Sequence, residues 1–146
     1  MVTDGVMGGE SSGTLTTAAI DDRDCLRMQG DVRLENNGGF VQAALQLEDT
    51  AAEDASGYSG VAIDVYGNNE SYNLHLRTDD LWLPWQSYRA SFQATDSWQT
   101  VRLPFAEFVP YKTSKPLDLT ELERLGVVAI GRAFSADLCI ARLEFY

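Results

Sequence analysis

Side chains that could recognise a ligand are concentrated between residues 73 and 85. A polar set on one predicted strand is followed by two tryptophans, and the candidate ligand- or partner-binding residues are Asn73, His75, Arg77, Asp79, Trp82 and Trp85. Aromatic rings stack on the apolar face of a pyranose, and the polar groups could satisfy its hydroxyls. Trp and Arg are equally frequent anchors of protein interfaces. Sugar binding, protein docking, and structural polar pairing with the tryptophans buried at one end of the domain all remain open.

A second candidate segment is the glycine-rich stretch near the N-terminus, which contains Asp4, Gly5, Met7, Gly8 and Gly9. Its glycines allow the backbone to take positive φ or to approach another strand closely. The stretch could be a ligand-facing loop, but we favour a tight bend with Met7 in the core and Asp4 capping the turn. A phosphate-binding loop is not indicated, because no P-loop lysine and no following helix pattern are present.

Catalytic and metal-binding chemistry has little support. His75 is the single histidine, and no serine or cysteine stands in a nucleophile-elbow pattern. Asp21, Asp22 and Asp24 could contact calcium, but a calcium site needs fixed oxygen ligands from several positions. We therefore predict no catalytic residue, no metal site and no cofactor, and a protein that acts by binding.

The charge of the chain limits its partners. The 146 residues carry 22 Asp and Glu against 11 Lys and Arg, a formal net charge of -11. Binding to phosphate backbones needs a clustered excess of basic residues, so a nucleic-acid partner is not expected. A basic protein patch or a neutral ligand fits better. The apolar runs are far shorter than a bilayer span, so no membrane insertion is expected.

Cys25 and Cys139 are the two cysteines, and their wide separation matches neither a metal knuckle nor a disulfide-dense scaffold. We interpret both as buried small hydrophobic residues. The first residues combine neither a basic segment nor an apolar stretch, so nothing in them predicts export. The expected location is therefore the cytoplasm, or an organelle matrix in a eukaryote.

The dominant periodicity is two, as in half-buried strands. Between Ser71 and Thr78 the apolar set is Tyr72, Leu74 and Leu76, and the polar residues alternate with it. Val61 to Val65 shows the same alternation, and the turn residues 67–69 predict a hairpin between the two strands. Further strands are predicted over residues 14–20, 25–35, 40–47, 86–94, 98–103, 127–132 and 138–145. Turn signals about every ten residues indicate an all-β sandwich or barrel.

Helix signals are few. Thr120 to Glu123 fits a capping box, with Gly126 as a C-terminal cap, and Phe105 to Phe108 could form another short turn. The residues expected in the core are Leu45, Leu47, Val61, Ile63, Val65, Tyr72, Leu74, Leu76, Phe92, Trp98, Val101, Leu103, Phe105, Val128, Ile130, Ile140 and Leu143.

Four separated motifs resemble one family. The string from Asp4 to Ser11, the glycine-rich turn Asn37-Gly38-Gly39-Phe40, the strand with Tyr72, Leu74 and Arg77, and the segment from Trp98 through Leu103-Pro104-Phe105 to Phe108 follow the order found in the CIA30 family, complex I intermediate-associated protein 30. The resemblance extends over nearly the whole chain and makes Asp4, Gly5, Met7, Gly8, Gly9, Gly38 and Gly39 the family-motif residues.

This resemblance implies a galactose-binding-like jelly roll of two antiparallel sheets, here as one domain over residues 1–146. It also implies a protein-docking or complex-assembly factor whose partner could be a subunit of a respiratory or redox complex. Family members usually carry a strand and a tryptophan before the Asp4 string, whereas only Met1-Val2-Thr3 precede it here. Either the native start lies upstream, or the first strand is missing. A missing edge strand would expose backbone donors and acceptors, so self-association through an edge strand is expected.

Overall fold

Two antiparallel sheets form the fold. The computed structural model describes residues 3–8, 12–32, 40–46, 55–83 and 86–146, with the backbone alone at 3–8, 12–13 and 44–46. The sheets have the orders β1-β4-β10-β6-β7-β9 and β2-β3-β11-β5-β8. The strands are β1 (Thr3–Gly8), β2 (Ser12–Ile20), β3 (Arg23–Val32), β4 (Phe40–Gln46), β5 (Gly60–Tyr66), β6 (Glu70–Thr78), β7 (Ser87–Ala94), β8 (Gln99–Pro104), β9 (Val109–Tyr111), β10 (Leu122–Ile130) and β11 (Phe134–Phe145). The predicted all-β sandwich is confirmed.

Strand β6 confirms the alternation read from the sequence. Tyr72, Leu74 and Leu76 are buried between the sheets, whereas His75 and Arg77 lie on the opposite face and are only half-buried. Strand β7 repeats the pattern with Tyr88, Ala90 and Phe92 inside. The outward face of the six-stranded sheet is therefore fixed by the side chains that the core takes from each strand.

The predicted hairpin between β5 and β6 is wrong. Strand β5 pairs with β8 and β11, whereas β6 pairs with β7 and β10, so residues 67–69 carry the chain from one sheet to the other. Gly67 lies so close to Ala94 that an added Cβ would stand 2.3 Å from the Ala94 Cβ. A period-two pattern shows which face of a strand is buried, but not which strand lies next to it. Strands β5 and β6 both show the pattern because each buries one face in the same core, from opposite sheets.

Strand β10 also differs from the expectation. The capping-box segment does not form a helix over Thr120 to Glu123. A 3₁₀ turn at Leu119–Glu121, capped by Asp118, leads directly into the strand, and Gly126 lies within it. The predicted turn at Phe105 is confirmed as a 3₁₀ turn over Phe105–Glu107.

A register irregularity at the start of β10 changes which side chains are buried. It lies between Leu122 and Arg124, so Leu122 and Leu125 are both buried although they are three residues apart. Beyond it, Val127 and Ala129 enter the core. Val128 is buried as predicted, but it lines the outer face of the sheet, and Ile130, which lines the same face, is only half-buried.

Most of the other expected core residues are buried or packed against the core, including Ile63, Val65 and Leu103. Trp98 is an exception, because its half-buried ring lies outside the core, where its Nε1 donates to the Ile20 carbonyl at 3.0 Å. The Leu45 side chain and Leu47 lie outside the described residues.

Both cysteines are buried, as the sequence predicts, but the sequence did not predict that they are bonded to each other. Cys25 on β3 and Cys139 on β11 form a disulfide, with their Cα atoms 5.5 Å apart. Strands β3 and β11 are neighbours in the five-stranded sheet, so the topology joins two residues that are 114 positions apart. Spacing in the sequence carries no information on such a contact.

The glycine-rich N-terminal segment forms an edge strand, not the expected bend. Asp4, Gly5, Met7 and Gly8 belong to β1, which pairs antiparallel with β4, while Gly9, Gly38 and Gly39 lie outside the described residues. Because β1 is at the edge of its sheet, self-association through it stays a prediction. Among the described residues, no helix has the length and apolar character that crossing a bilayer requires.

Candidate functional site

A groove crosses the outward face of the six-stranded sheet and encloses a cavity of about 410 Å³. This size lies within the range of small-molecule and oligosaccharide sites. Side chains from β4, β6, β7, β9 and β10 and from the residue before β7 line it, namely Phe40, Gln42, His75, Arg77, Gln86, Ser87, Arg89, Tyr111, Arg124, Leu125, Gly126, Val128 and Ile130.

Gly126 on β10 lies at the centre of the groove. It is the register partner of His75 on β6, and His75 is in turn the partner of Arg89 on β7. A Cβ at residue 126 would stand 3.0 Å from Gln42 Oε1, so the absence of a side chain leaves room for the Gln42 side chain. Glycine at this position therefore allows Gln42 to lie over β10.

His75 is enclosed at this centre. Its Nε2 is buried and makes no hydrogen bond to any group in the described part of the chain. Burial lowers the pKa of His75 from 6.5 to about 3, and the positive charge of Arg89 contributes to the same shift. His75 is therefore a neutral imidazole near neutral pH, and its Nε2 has no partner among the described residues.

Arg77 connects the groove to the β6–β7 loop. Its Nη1 donates to the carbonyls of Leu83 and Gln86, at 2.8 and 2.7 Å. Its buried Nε has no hydrogen-bond partner among the described residues. Burial lowers the pKa of Arg77, the charge of Arg124 lowers it further, and Glu123 opposes both effects. Arg124, the register partner of Arg77, follows the irregularity at the start of β10.

Arg89 and Tyr111 close the other side. The Arg89 guanidinium lies 3.6 Å from the centre of the Tyr111 ring, and its Nε donates to Ser87 Oγ at 2.9 Å. Burial lowers the pKa of Arg89, although the interaction with Tyr111 raises it. The Tyr111 ring is held in place and is 38 % exposed, so it presents aromatic surface at the groove.

The other predicted site residues are not brought together in the groove. Asn73 lies on the outward face, where its Oδ1 accepts a hydrogen bond from Ser91 at 2.6 Å. Asp79 is in the turn after β6, and its backbone N–H donates to Glu121. Trp82 is 87 % exposed in the β6–β7 loop, and its backbone N–H donates to Gln86 Oε1. Trp85 lies outside the described residues.

Sequence reasoning found His75 and Arg77 but missed Arg89, Tyr111 and Arg124. Alternation in β7 contained the signal for Arg89, which is outward next to the buried Tyr88 and Ala90. Arg124 was missed because its segment was interpreted as a helical turn, whereas it belongs to β10. Tyr111 stands between a proline and a lysine on a three-residue strand, where no periodicity can be read.

The groove has the chemistry of a binding site. No aspartate or glutamate is among its described lining residues. Within the described ranges, no group of three or more His, Cys, Asp or Glu residues could hold a metal ion. What the groove offers are amide, hydroxyl, imidazole and guanidinium groups around aromatic and aliphatic surface.

Several solved structures with the same fold are carbohydrate-binding modules. A family 11 module of a cellulosomal cellulase of Clostridium thermocellum matches with a TM-score of 0.82 at 12% identity, over 99% of this chain and 87% of that one. The family 11 module from the same organism in complex with a β-1,3-1,4-mixed-linked tetrasaccharide matches with a TM-score of 0.78 at 11% identity, over 98% and 87%. A family 30 module of another cellulosomal cellulase of that organism matches with a TM-score of 0.70 at 17% identity, over 97% and 90%. At these identities the likeness shows the fold alone.

Comparison at the level of sequence gives the family. A search of curated proteins finds no match. The family model described as complex I intermediate-associated protein 30 matches residues 1–138. This match covers most of the chain and agrees with the four motifs read from the sequence. The chain belongs to the CIA30 family, and its β-sandwich has the fold of the modules above.

Proposed function

We propose that this chain is a non-catalytic carbohydrate-binding domain, acting as a single unit over residues 1–146, and that its ligand lies in the groove of the six-stranded sheet. The observation that carries the proposal is the groove itself: it is concave, has no carboxylate among its described lining residues, and combines hydrogen-bonding side chains with the Tyr111 ring. A sugar ring needs both kinds of surface, because it has hydroxyls at its edge and apolar C–H groups on its faces.

The extent of the groove favours an oligosaccharide over a single sugar. Lining residues run from Phe40 on β4 to Tyr111 on β9, across five adjacent strands. At about 4.8 Å between strands, the groove is about 19 Å wide across the sheet. Polar contacts along this length come from Gln42, His75 and Gln86.

The structural neighbours support the proposal, since one of them is a complex with a tetrasaccharide. One expectation from sequence does not support it, because paired tryptophans do not line the groove in the described part of the chain. Trp82 is at its rim, where Gln86 holds the backbone of Trp82 and Leu83, and its exposed indole is available as a stacking surface. Tyr111 supplies the aromatic surface inside.

The test is a glycan array with neutral and acidic oligosaccharides, followed by calorimetry on each glycan that binds. Tyr111→Ala should weaken binding at least about tenfold, because it removes the aromatic surface that a sugar face would contact. Tyr58→Ala is the matched control, since Tyr58 is 47 % exposed, is not among the groove residues and packs on Phe145. An array without any bound glycan, or equal losses in the two variants, would reject the proposal.

Protein docking is a second candidate, favoured by exposed apolar side chains beside the groove. Trp82, Leu83 and Val109 are 87 %, 41 % and 63 % exposed. Gln86 links the two sides of this patch, since its side chain accepts from Trp82 and Leu83 and donates to the Lys112 carbonyl. Such a patch could anchor a partner in the assembly of a respiratory or redox complex, as the family description suggests.

This second function predicts a defined capture result. A purified partner should bind wild-type protein and Tyr58→Ala alike and lose affinity for Trp82→Ala. Retention of full affinity by Trp82→Ala would exclude the patch as the docking site.

The disulfide alters the expected compartment. The cytoplasmic expectation relied in part on reading Cys25 and Cys139 as thiols, whereas the structure joins them. Structural disulfides persist in oxidising compartments. We therefore propose that the protein functions in an oxidising compartment. Thiol counting on protein isolated from its native host without reductant tests this, and two free thiols would contradict it.

A further inference from the structure

The positive charges of this acidic chain are not spread evenly. The sequence holds 22 acidic residues and 11 basic ones, yet three arginines, Arg77, Arg89 and Arg124, line one groove whose described lining residues include no carboxylate. Four other arginines form ion pairs: Arg23 and Arg142 contact Asp64, Arg27 contacts Asp137, and Arg132 contacts Glu70. None of the ion pairs between described residues includes a groove arginine.

The fold places Arg77 and Arg124 next to each other against their mutual repulsion, with Arg89 in the same groove. Arg77 and Arg124 are cross-strand register partners, and Arg89 is opposite His75. Like charges directly opposite each other destabilise a sheet, and partial burial adds a desolvation cost. Glu123 acts on Arg77 in the opposite sense and raises its pKa. Within the described ranges, no ion pair compensates the positive charge of the groove, and a bound anion would neutralise it.

The hydrogen-bond donors of the groove arginines also favour a bound anion. Arg77 uses its Nη1 on two backbone carbonyls, while its Nε is left without a partner among the described groups. No hydrogen bond or ion pair from the Arg124 side chain is found in the described part of the chain. Guanidinium groups hold carboxylate and sulfate oxygens through charge-assisted hydrogen bonds. Because His75 is neutral near neutral pH, the positive charge comes from the arginines and does not depend on pH there.

We infer that the groove selects an acidic glycan, whose sugar ring carries a carboxylate or sulfate group, over a neutral one. This inference rests on the proposed carbohydrate-binding function and specifies its ligand class. The oxyanion would contact the arginines between β6, β7 and β10, while the sugar ring packs against Tyr111.

A matched pair of ligands tests the role of charge. Calorimetry compares a short oligogalacturonate with its fully methyl-esterified form, which has the same sugar and no charge. A sulfated galactan oligosaccharide distinguishes sulfate from carboxylate as the source of the anion, and a neutral mixed-linkage tetraglucoside serves as the reference. One charge-assisted hydrogen bond is enough to favour an acidic glycan over its neutral counterpart by at least about tenfold.

Two groove variants and one control connect the preference to the arginines. Arg89→Gln and Arg124→Gln should each reduce the acidic-to-neutral affinity ratio several-fold, whereas Arg102→Gln removes the same charge from an exposed position on β8 and should leave the ratio unchanged. Circular dichroism checks that each variant is folded. Arg89 stacks on Tyr111, so its substitution could also displace that ring. Arg124→Gln removes a groove charge without changing this stacking pair.

The possible outcomes distinguish failure of the acidic preference from failure of the proposed carbohydrate-binding function. Equal or tighter binding of the neutral glycans, still lost in Tyr111→Ala, would overturn the acidic preference and leave the carbohydrate-binding function intact. A ratio that Arg102→Gln changes as much as the groove variants do would overturn the assignment to the groove. If no glycan of either kind binds, the proposed function fails and the inference fails with it.

Discussion

The buried position of His75 predicts a pH-dependent loss of stability. Its Nε2 is enclosed, Arg89 faces it from β7, Arg77 and Asn73 are the outward residues beside it on β6, and Gly126 is opposite on β10. The folded-state pKa of about 3 lies below the ordinary 6.5. Between those values the unfolded chain binds the proton and the folded chain does not. Stability is therefore highest above 6.5 and falls as the pH decreases toward 3.

The size of the effect follows from the two pKa values. From 6.5 unfolded and about 3 folded, linkage gives a decrease in the free energy of unfolding of about 2 kcal/mol between about pH 7.5 and about pH 5. The lower pH stays above the sequence isoelectric point of ≈ 4.3, where precipitation would interfere. The figure depends mainly on the unfolded pKa, because a folded pKa anywhere below about 4 gives nearly the same value.

The assay is urea unfolding of wild type and His75→Gln at both pH values. Glutamine is polar and does not titrate, so the difference between the two proteins cancels the contribution of the carboxylates that both share. Wild type should lose about 2 kcal/mol relative to the variant on going to the lower pH. A difference that stays constant with pH would mean that His75 titrates normally, and the description of the groove centre as enclosed would be wrong.

Three further results test the fold. Leu74→Ala should cost about 2–5 kcal/mol in urea unfolding, because Leu74 is fully buried on β6; melting like wild type would refute the facing of that strand. Gly67→Ala should cost about 1–3 kcal/mol through its clash with Ala94, whereas Gly57→Ala, whose added Cβ meets nothing within 4 Å, should be close to neutral; equal effects would contradict the close approach at the β5–β6 crossover. The Cys25–Cys139 disulfide closes a loop with a sequence separation of 114, so its reduction should lower the free energy of unfolding by about 5 kcal/mol. A urea midpoint that is the same with and without reductant would mean that the bond is not formed.

What the sequence could predict was local. The alternation of Tyr72, Leu74 and Leu76 with His75 and Arg77 fixed the buried and outward faces of β6, because a strand turns successive side chains to opposite sides. It therefore identified two of the groove residues correctly. The same rule applied to β7 would have added Arg89.

What the sequence could not predict depends on contacts between distant segments. Alternation does not say which strand is the neighbour, so β5 and β6 were paired although they belong to different sheets. The irregularity at Leu122 and Arg124 inverted the expected facing of Val128 and Ile130. The disulfide depends on the strand order of the five-stranded sheet. The groove arginines likewise share one groove only because of the strand order of the six-stranded sheet, since they lie on three different strands, namely Arg77, Arg89 and Arg124.

Chemical-shift mapping of the protein during titration with a bound glycan tests the central claim most directly. His75 is the single histidine, so its imidazole resonances report on the groove centre without overlap. The account predicts that these resonances shift together with those of Tyr111, Arg89 and Gly126, while the five-stranded sheet stays unchanged. Shifts confined to the five-stranded sheet, or to the Trp82 loop with His75 unaffected, would show that carbohydrate does not bind in this groove.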